Sequence, residues 1–184
     1  MIASETITDV TCFGDSDGSV SVVVTEGVSP YSYLWSTSDV TDAISGLLPD
    51  TYTLTVTDDN GCEIYGSYIV GEPLLVLADA AVTTDFDGYS VSCLGSSDGV
   101  AELTVTQGGV APFTYLWDDP NAQTTASATG LAAGTYNVTV YDATMCEAYA
   151  TVTLTEPMEM AANATVSSDY NGYNVSCVGS ANCT

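Results

Sequence analysis

Two kinds of side chain here have the chemistry to define a site: six cysteines, and 24 aspartates and glutamates. The run TCFGDSDGSV, residues 11–20, holds both, with Cys12 beside Asp15 and Asp17 and with Gly14 and Gly18 between them. Such a run reads as a metal loop, a catalytic loop, or a turn anchored by a disulfide. The rest of the composition narrows the choice. There is no Lys, Arg or His anywhere in the 184 residues. An imidazole base, a Schiff-base lysine and a basic phosphate clamp are therefore all excluded. Carboxylate-only catalysis is the remaining enzymatic route. A glycosidase needs two carboxyl groups at a defined separation across a sugar cleft, and no long cleft-forming loop is evident. The sequence does not read as an enzyme.

The formal charge of −24 has no internal counter-charge apart from a free amino terminus. Its field repels nucleic acid and anionic lipid and destabilises the compact state by self-repulsion. Salt or bound divalent cations would relieve it. Even so, 46% of residues are hydrophobic and only 13% charged, with twelve Tyr, two Trp and three Phe. That is a composition that packs cores rather than one that stays disordered. Six cysteines in β-type sequence point to an oxidising, extracellular setting. MIASETITDV lacks the charged and apolar regions of a signal peptide, and no apolar run approaches the ~20 residues that span a bilayer. The residues read as a mature piece, or as a slice of something longer.

The elements that position these side chains are repeated. Cys12 recurs as Cys93 and again as Cys177. SPYSYLW from Ser29 answers to APFTYLW from Ala111, and GLLPDTYTLTVTDDNGC from Gly46 to GLAAGTYNVTVYDATMC from Gly130. VGEP from Val70 answers to LTEP from Leu154, and DFDGYSVSC from Asp85 to DYNGYNVSC from Asp169. A colinear set of this kind marks a tandem array. Within each copy, apolar residues alternate with polar or smaller ones: Val20, Val22, Val24; Tyr31, Tyr33, Trp35; Tyr52, Leu54, Val56. The second copy does the same at Ala101, Leu103, Val105; Phe113, Tyr115, Trp117; Tyr136, Val138, Val140. Period-two alternation broken by Gly, Pro and Asp turns predicts half-buried strands. The expected fold is all-β: tandem immunoglobulin-like β-sandwich modules strung as beads on a string. Trp35, Trp117, Tyr52 and Tyr136 are expected core anchors, and LLPDTY from Leu47 reads as a tyrosine corner.

Repeat symmetry gives each module one cysteine before its first core strand and one after its TY-strand. Six cysteines allow fifteen pairings. The symmetry favours pairing within modules, Cys12 with Cys62 and Cys93 with Cys146, and leaves the partners of Cys177 and Cys183 open. Each bond would close a loop of about fifty residues, worth roughly 4 kcal/mol in the chain-entropy model. A Cys12–Cys62 bond would bring Asp15 and Asp17 beside Asp58 and Asp59. Four carboxylates without a counter-charge suit a hard ion, and calcium is the candidate, although no cofactor is required. The competing reading is that Asp and Gly simply suit tight turns. Asn137, Asn163, Asn174 and Asn182 stand in N-x-Ser/Thr contexts and are candidate glycosylation sites.

Taken together, the Cys–Gly–DG opening, PYSYLW, GLLPDTYTLTVTDDNGC and EP resemble the SprB repeat. This family occurs in very large surface proteins of Bacteroidota, gliding-motility adhesins among them. The resemblance implies a surface-displayed array of sandwiches, exported in many such proteins by the type IX system, and carries no catalytic residues. The chain departs from the pattern at Met145, where the first module has Gly61, and at Cys183, where a turn glycine is expected.

The modules are expected at residues 1–73 and 74–157, with 158–184 opening a third repeat or serving as a strand-donating tail. LLVLADAA, residues 74–81, has its counterpart for the first module before Met1, so that module's first strand is expected to be incomplete. Two arrangements follow: a continuing array of further repeats, or copies that complete one another head to tail by strand addition. The expected role is the shaft of an extracellular fibre or adhesin. The alternative is an adhesin module that binds surface polysaccharide through exposed Tyr and Asp, with calcium as a candidate aid. Expected partners are copies of itself or further repeats, and a polysaccharide or covalent glycan; nucleic acid and a membrane span are not expected.

Overall fold

A computed structural model describes residues 2–163 and Thr165. Among these residues there are twelve strands and no helix. The first six are β1 (Ile2–Thr8), β2 (Gly18–Val24), β3 (Ser32–Trp35), β4 (Ala43–Leu47), β5 (Asp50–Thr57) and β6 (Glu63–Val70). The second six are β7 (Leu77–Val82), β8 (Gly99–Gln107), β9 (Thr114–Trp117), β10 (Ser127–Leu131), β11 (Gly134–Tyr141) and β12 (Glu147–Leu154). Each set forms two three-stranded antiparallel sheets, ordered β1-β2-β4 and β3-β5-β6, then β7-β8-β10 and β9-β11-β12. This is the immunoglobulin order with the fourth strand of the first sheet missing. The chain is two sandwiches in series.

Alternation builds each core. Val20, Val22 and Ile44 point inward from one sheet and Trp35, Leu54, Val56, Tyr68 and Val70 from the other; all are buried. In the second module Ala101, Leu103 and Ala128 meet Trp117, Val138, Val140, Val152 and Leu154. The two tryptophans satisfy their ring N–H groups on backbone, Trp35 on the Thr41 carbonyl at 2.8 Å and Trp117 on the Thr125 carbonyl at 2.9 Å. The tyrosine corner is present twice. Tyr52 donates its hydroxyl to the Leu48 carbonyl at 2.9 Å and Tyr136 to the Ala132 carbonyl at 3.2 Å.

The first module does not lack its opening strand. β1 pairs along β2 from Ile2↔Val24 to Thr8↔Ser19, in the place that β7 takes beside β8. IASETIT and LADAAV share almost no residues, so direct matching misses their equivalence. Linker residues 71–76 join β6 to β7, and Val76 at its end is already part of the second core.

Candidate functional site

The turns gather at two poles of each sandwich. At the far end of module one, here its head, lies the β1–β2 loop. Val10 N–H donates to the Gly71 carbonyl at 3.1 Å and Gly71 N–H donates to Asp9 at 2.8 Å, fixing the loop to the end of β6. Inside it, Asp17 accepts from the Thr11 N–H at 2.9 Å and from the Thr11 hydroxyl. These bonds, the hydroxyl foremost, hold its pKa below the ordinary value. Asp15 accepts from Cys12 N–H at 3.2 Å, and Glu72 of the linker accepts from Gly14 N–H at 3.3 Å. Gly14 has φ +82°, a left-handed conformation that favours glycine.

The opposite pole of module two, its base, is organised by Asp142 on the β11–β12 turn. One of its oxygens accepts from Cys146 N–H, Thr144 N–H and the Thr144 hydroxyl at 2.8–2.9 Å. The other accepts from Val110 N–H at 2.9 Å. Burial pushes this carboxyl up, but the bonds from Val110, Thr144 and Cys146 outweigh it and leave the pKa lowered. Asp58 does the same work at the base of module one, accepting from Val28, Asn60 and Cys62 N–H groups.

Head and base meet. Cys12 is bonded to Cys146 across the boundary between modules, with their Cα atoms 5.5 Å apart. The Cys146 sulfur lies 3.4 Å from the Thr11 carbonyl oxygen, and Cys12 packs against the core of module two. Linker residues Leu74 and Leu75 run over Gly108, where an added Cβ would meet their carbonyl oxygens at 2.6 and 2.5 Å. A recess of about 570 Å³ opens at this joint, bordered by Phe13, Asp15, Leu75, Val110 and Met145 among others.

The expected pairings within modules, Cys12–Cys62 and Cys93–Cys146, are therefore replaced by one between modules. The reason is polar geometry. Cys12 sits at the head of its sandwich and Cys62 at the base, separated by the eight residues of β6, about 25 Å of strand. A disulfide needs Cα atoms within about 7 Å. Cys62 and Cys93 are exposed free thiols. The expected calcium cluster fails for the same reason: Asp15 and Asp17 lie at the head while Asp58 and Asp59 lie at the base. Asp15, Asp17 and Asp58 instead cap backbone and hydroxyl donors. Among the described residues no group of three or more Cys, Asp or Glu is arranged to hold a metal ion.

Of the four sequons, Asn137 lies in β11 with its side chain engaged. Its amide nitrogen donates to Asp118 at 2.7 Å and its amide oxygen accepts from the Thr151 hydroxyl at 2.8 Å. Asn163 is exposed. Asn174, Asn182, Cys177 and Cys183 lie outside the described residues. The residues that sequence reasoning missed are Asp9, Glu72 and Asp142 as organisers of the joint. The available signal was repetition: Asp58 stands four before Cys62 as Asp142 does before Cys146, and Glu72 recurs as Glu156.

The SprB repeat family model matches residues 4–40 and 89–122, one stretch in each sandwich. Among solved structures, a C-terminal 282-residue fragment of intimin, in complex with the intimin-binding domain of the translocated intimin receptor, aligns at TM-score 0.41 and 16% identity. That alignment covers 83% of this chain and 64% of the fragment. No curated protein matches the chain.

Proposed function

We propose that this chain, which carries two SprB repeats, is a load-bearing segment of the shaft of an extracellular surface fibre or adhesin. The observation that carries this reading is the bond from the head of one sandwich to the base of the next. It bridges 134 residues of sequence, so tension applied at the ends reaches the two sulfurs through β1 and β12 and bypasses β2 to β11. The carboxylates that organise both loops, and the absence of Lys, Arg and His, suit a scaffold rather than a reaction centre. A disulfide together with SprB repeats supports an oxidising, cell-surface location. No helix of the described residues is long and apolar enough to cross a membrane.

Single-molecule stretching between the termini tests the reading. Under oxidising conditions the 134-residue span contributes no unfolding extension; with reductant, two sandwich-sized steps emerge. Equal extension in both conditions would refute load-bearing by this bond.

A second reading rests on a repeated outer face. On the β3-β5-β6 sheet, Leu34 and Tyr65 flank Thr55, and on β9-β11-β12, Leu116 and Tyr149 flank Thr139. Tyr65 is 71% exposed and Tyr149 65%, beside Glu63 and Glu147, which raise the pKa of their phenols. An exposed tyrosine with a neighbouring carboxylate is the chemistry that stacks on and hydrogen-bonds a sugar. Replacing both tyrosines by alanine leaves a shaft unchanged, whereas a polysaccharide-binding module loses retention on a glycan column.

A further inference from the structure

We propose that Cys93 of one copy bonds to Cys62 of a second copy of this chain, through the same head-to-base joint that Cys12 and Cys146 make inside it. The proposal deepens the shaft reading by naming the partner and the atoms that join it. It rests on the shaft reading and on the finding that both halves of the joint are already built, at the unbonded head of module two and the unbonded base of module one.

The head of module two repeats three hydrogen bonds of the head of module one, with Ser96 and Ser90 in place of Asp15 and Asp9. Ser92 N–H donates to Asp98 at 3.0 Å as Thr11 N–H does to Asp17 at 2.9 Å. Ser96 N–H donates to the Cys93 carbonyl at 3.0 Å as Asp15 N–H does to the Cys12 carbonyl at 3.0 Å. Gly95 N–H donates to Glu156 at 2.8 Å, the counterpart of Gly14 and Glu72, and the two glycines share a positive φ of 76° and 82°. The base of module one matches the base of module two as closely. Cys62 N–H and Cys146 N–H donate to Asp58 and Asp142 at 2.9 Å each. Val28 N–H and Val110 N–H donate to the same aspartates at 3.0 and 2.9 Å. The tight turns before the cysteines use Gly61 and Met145, at φ 78° and 68°.

What differs is occupancy. Cys12 and Cys146 have each other; Cys93 and Cys62 are exposed thiols. One flanking apolar position follows the same division. Val76 of the linker is buried in module two, and its counterpart Met160 is almost fully exposed. Phe13 and Leu94 are each 51% exposed, and Leu74 and Met158 are both exposed, so these pairs do not distinguish the two heads. A base with Gly27, Tyr31, Asp58 and Cys62 around a recess is present on every copy to receive Met160. Both loops hold their conformation without the partner, so joining costs little ordering entropy.

The bond forms by thiol–disulfide exchange with a low-molecular-weight disulfide as oxidant. The Cys93 thiolate attacks that disulfide and releases one small thiol. The Cys62 thiolate then attacks the Cys93 sulfur of the mixed disulfide and releases the second. Two protein thiols are oxidised, one small disulfide is reduced, and the two protons pass to the released thiols.

The test uses the full chain carrying Cys177→Ser and Cys183→Ser, with oxidised glutathione as the oxidant, read by non-reducing electrophoresis and mass mapping of linked peptides. A chain that also carries Cys62→Ser offers only a head, and one that also carries Cys93→Ser offers only a base. Mixed, they are expected to give a dimer linked Cys62–Cys93 and to stop there. That species should exceed the two like-with-like dimers by about tenfold, the selectivity of a 1.4 kcal/mol preference. The chain with both cysteines should give a ladder. Random proportions among the three dimers, or no dimer, would overturn the proposal, as would a Cys62–Cys177 link in the unsubstituted chain. Failure here with bond-dependent shielding under force would leave the shaft reading standing and remove only the junction between copies.

Discussion

Asp142 shows how an acidic protein without cations uses its carboxylates. Four donors converge on one side chain that is only 4% exposed. No ion pair is available to it, so backbone N–H groups take the place of Lys and Arg. Removing it leaves those donors in a part-buried turn, and hydrogen bonds to a charged group contribute about 1.5–3 kcal/mol each. With water replacing some of them, Asp142→Ala is expected to cost module two about 2–4 kcal/mol, measured by urea unfolding at pH 7. The pH dependence follows from the sign of the shift. The folded pKa lies below the ordinary 3.8, so the carboxylate contributes stability above that value and loses it as pH falls through the folded one. The gap between the native protein and Asp142→Asn should therefore narrow below about pH 4. A gap of constant size from pH 7 to pH 3 would mean that the charge of Asp142 contributes nothing.

At the scale of strands, the close approach of the two sheets is set by glycine. Gly99 opens β8 where an added Cβ would meet Leu154, the Leu131 carbonyl oxygen at 2.9 Å and Val91 at 3.2 Å; Gly18 opens β2 in the same setting. Neither has a left-handed backbone, so the constraint is space. Gly99→Ala is expected to destabilise module two by about 1–3 kcal/mol through overpacking, with the module-one transition unmoved in calorimetry. A neutral substitution would show that the sheets separate freely. Most of this architecture was legible in sequence because strand alternation is local: Val20, Val22, Leu54 and Val56 announce their burial by spacing alone. β1 was not legible as a partner of β2. IASETIT carries five polar or small residues, and only its pairing identifies it as the counterpart of LADAAV.

At the scale of the whole molecule, the cysteine pairing decides how the modules unfold, and this was beyond local reading. Repeat symmetry permits two patterns, first with second cysteine inside one module, or first of one module with second of the next. The repeat pattern is compatible with both; the poles at which the loops lie distinguish them. The observed pattern couples neighbours. While module one is folded, Cys12 is held beside Gly71 by the Val10 and Asp9 bonds. Unfolding module two alone then opens a chain still closed at both ends, a loop of roughly seventy-five residues, which the chain-entropy model makes about 4 kcal/mol less favourable. The same holds for module one while module two is folded. Each sandwich is thus stabilised on the condition that its neighbour stays folded, the nearest-neighbour coupling expected of a one-dimensional array. Self-repulsion from −24 charges pushes the other way on every module, so coupling matters most at low salt. Calorimetry of the native chain at low ionic strength should show a single transition whose van't Hoff enthalpy approaches the calorimetric value. Cys12→Ser should split it into two transitions at lower temperature, each with about half the enthalpy. If Cys12→Ser lowered the midpoint but preserved one two-state transition, coupling would reside in the packed linker around Val76 and not in the bond.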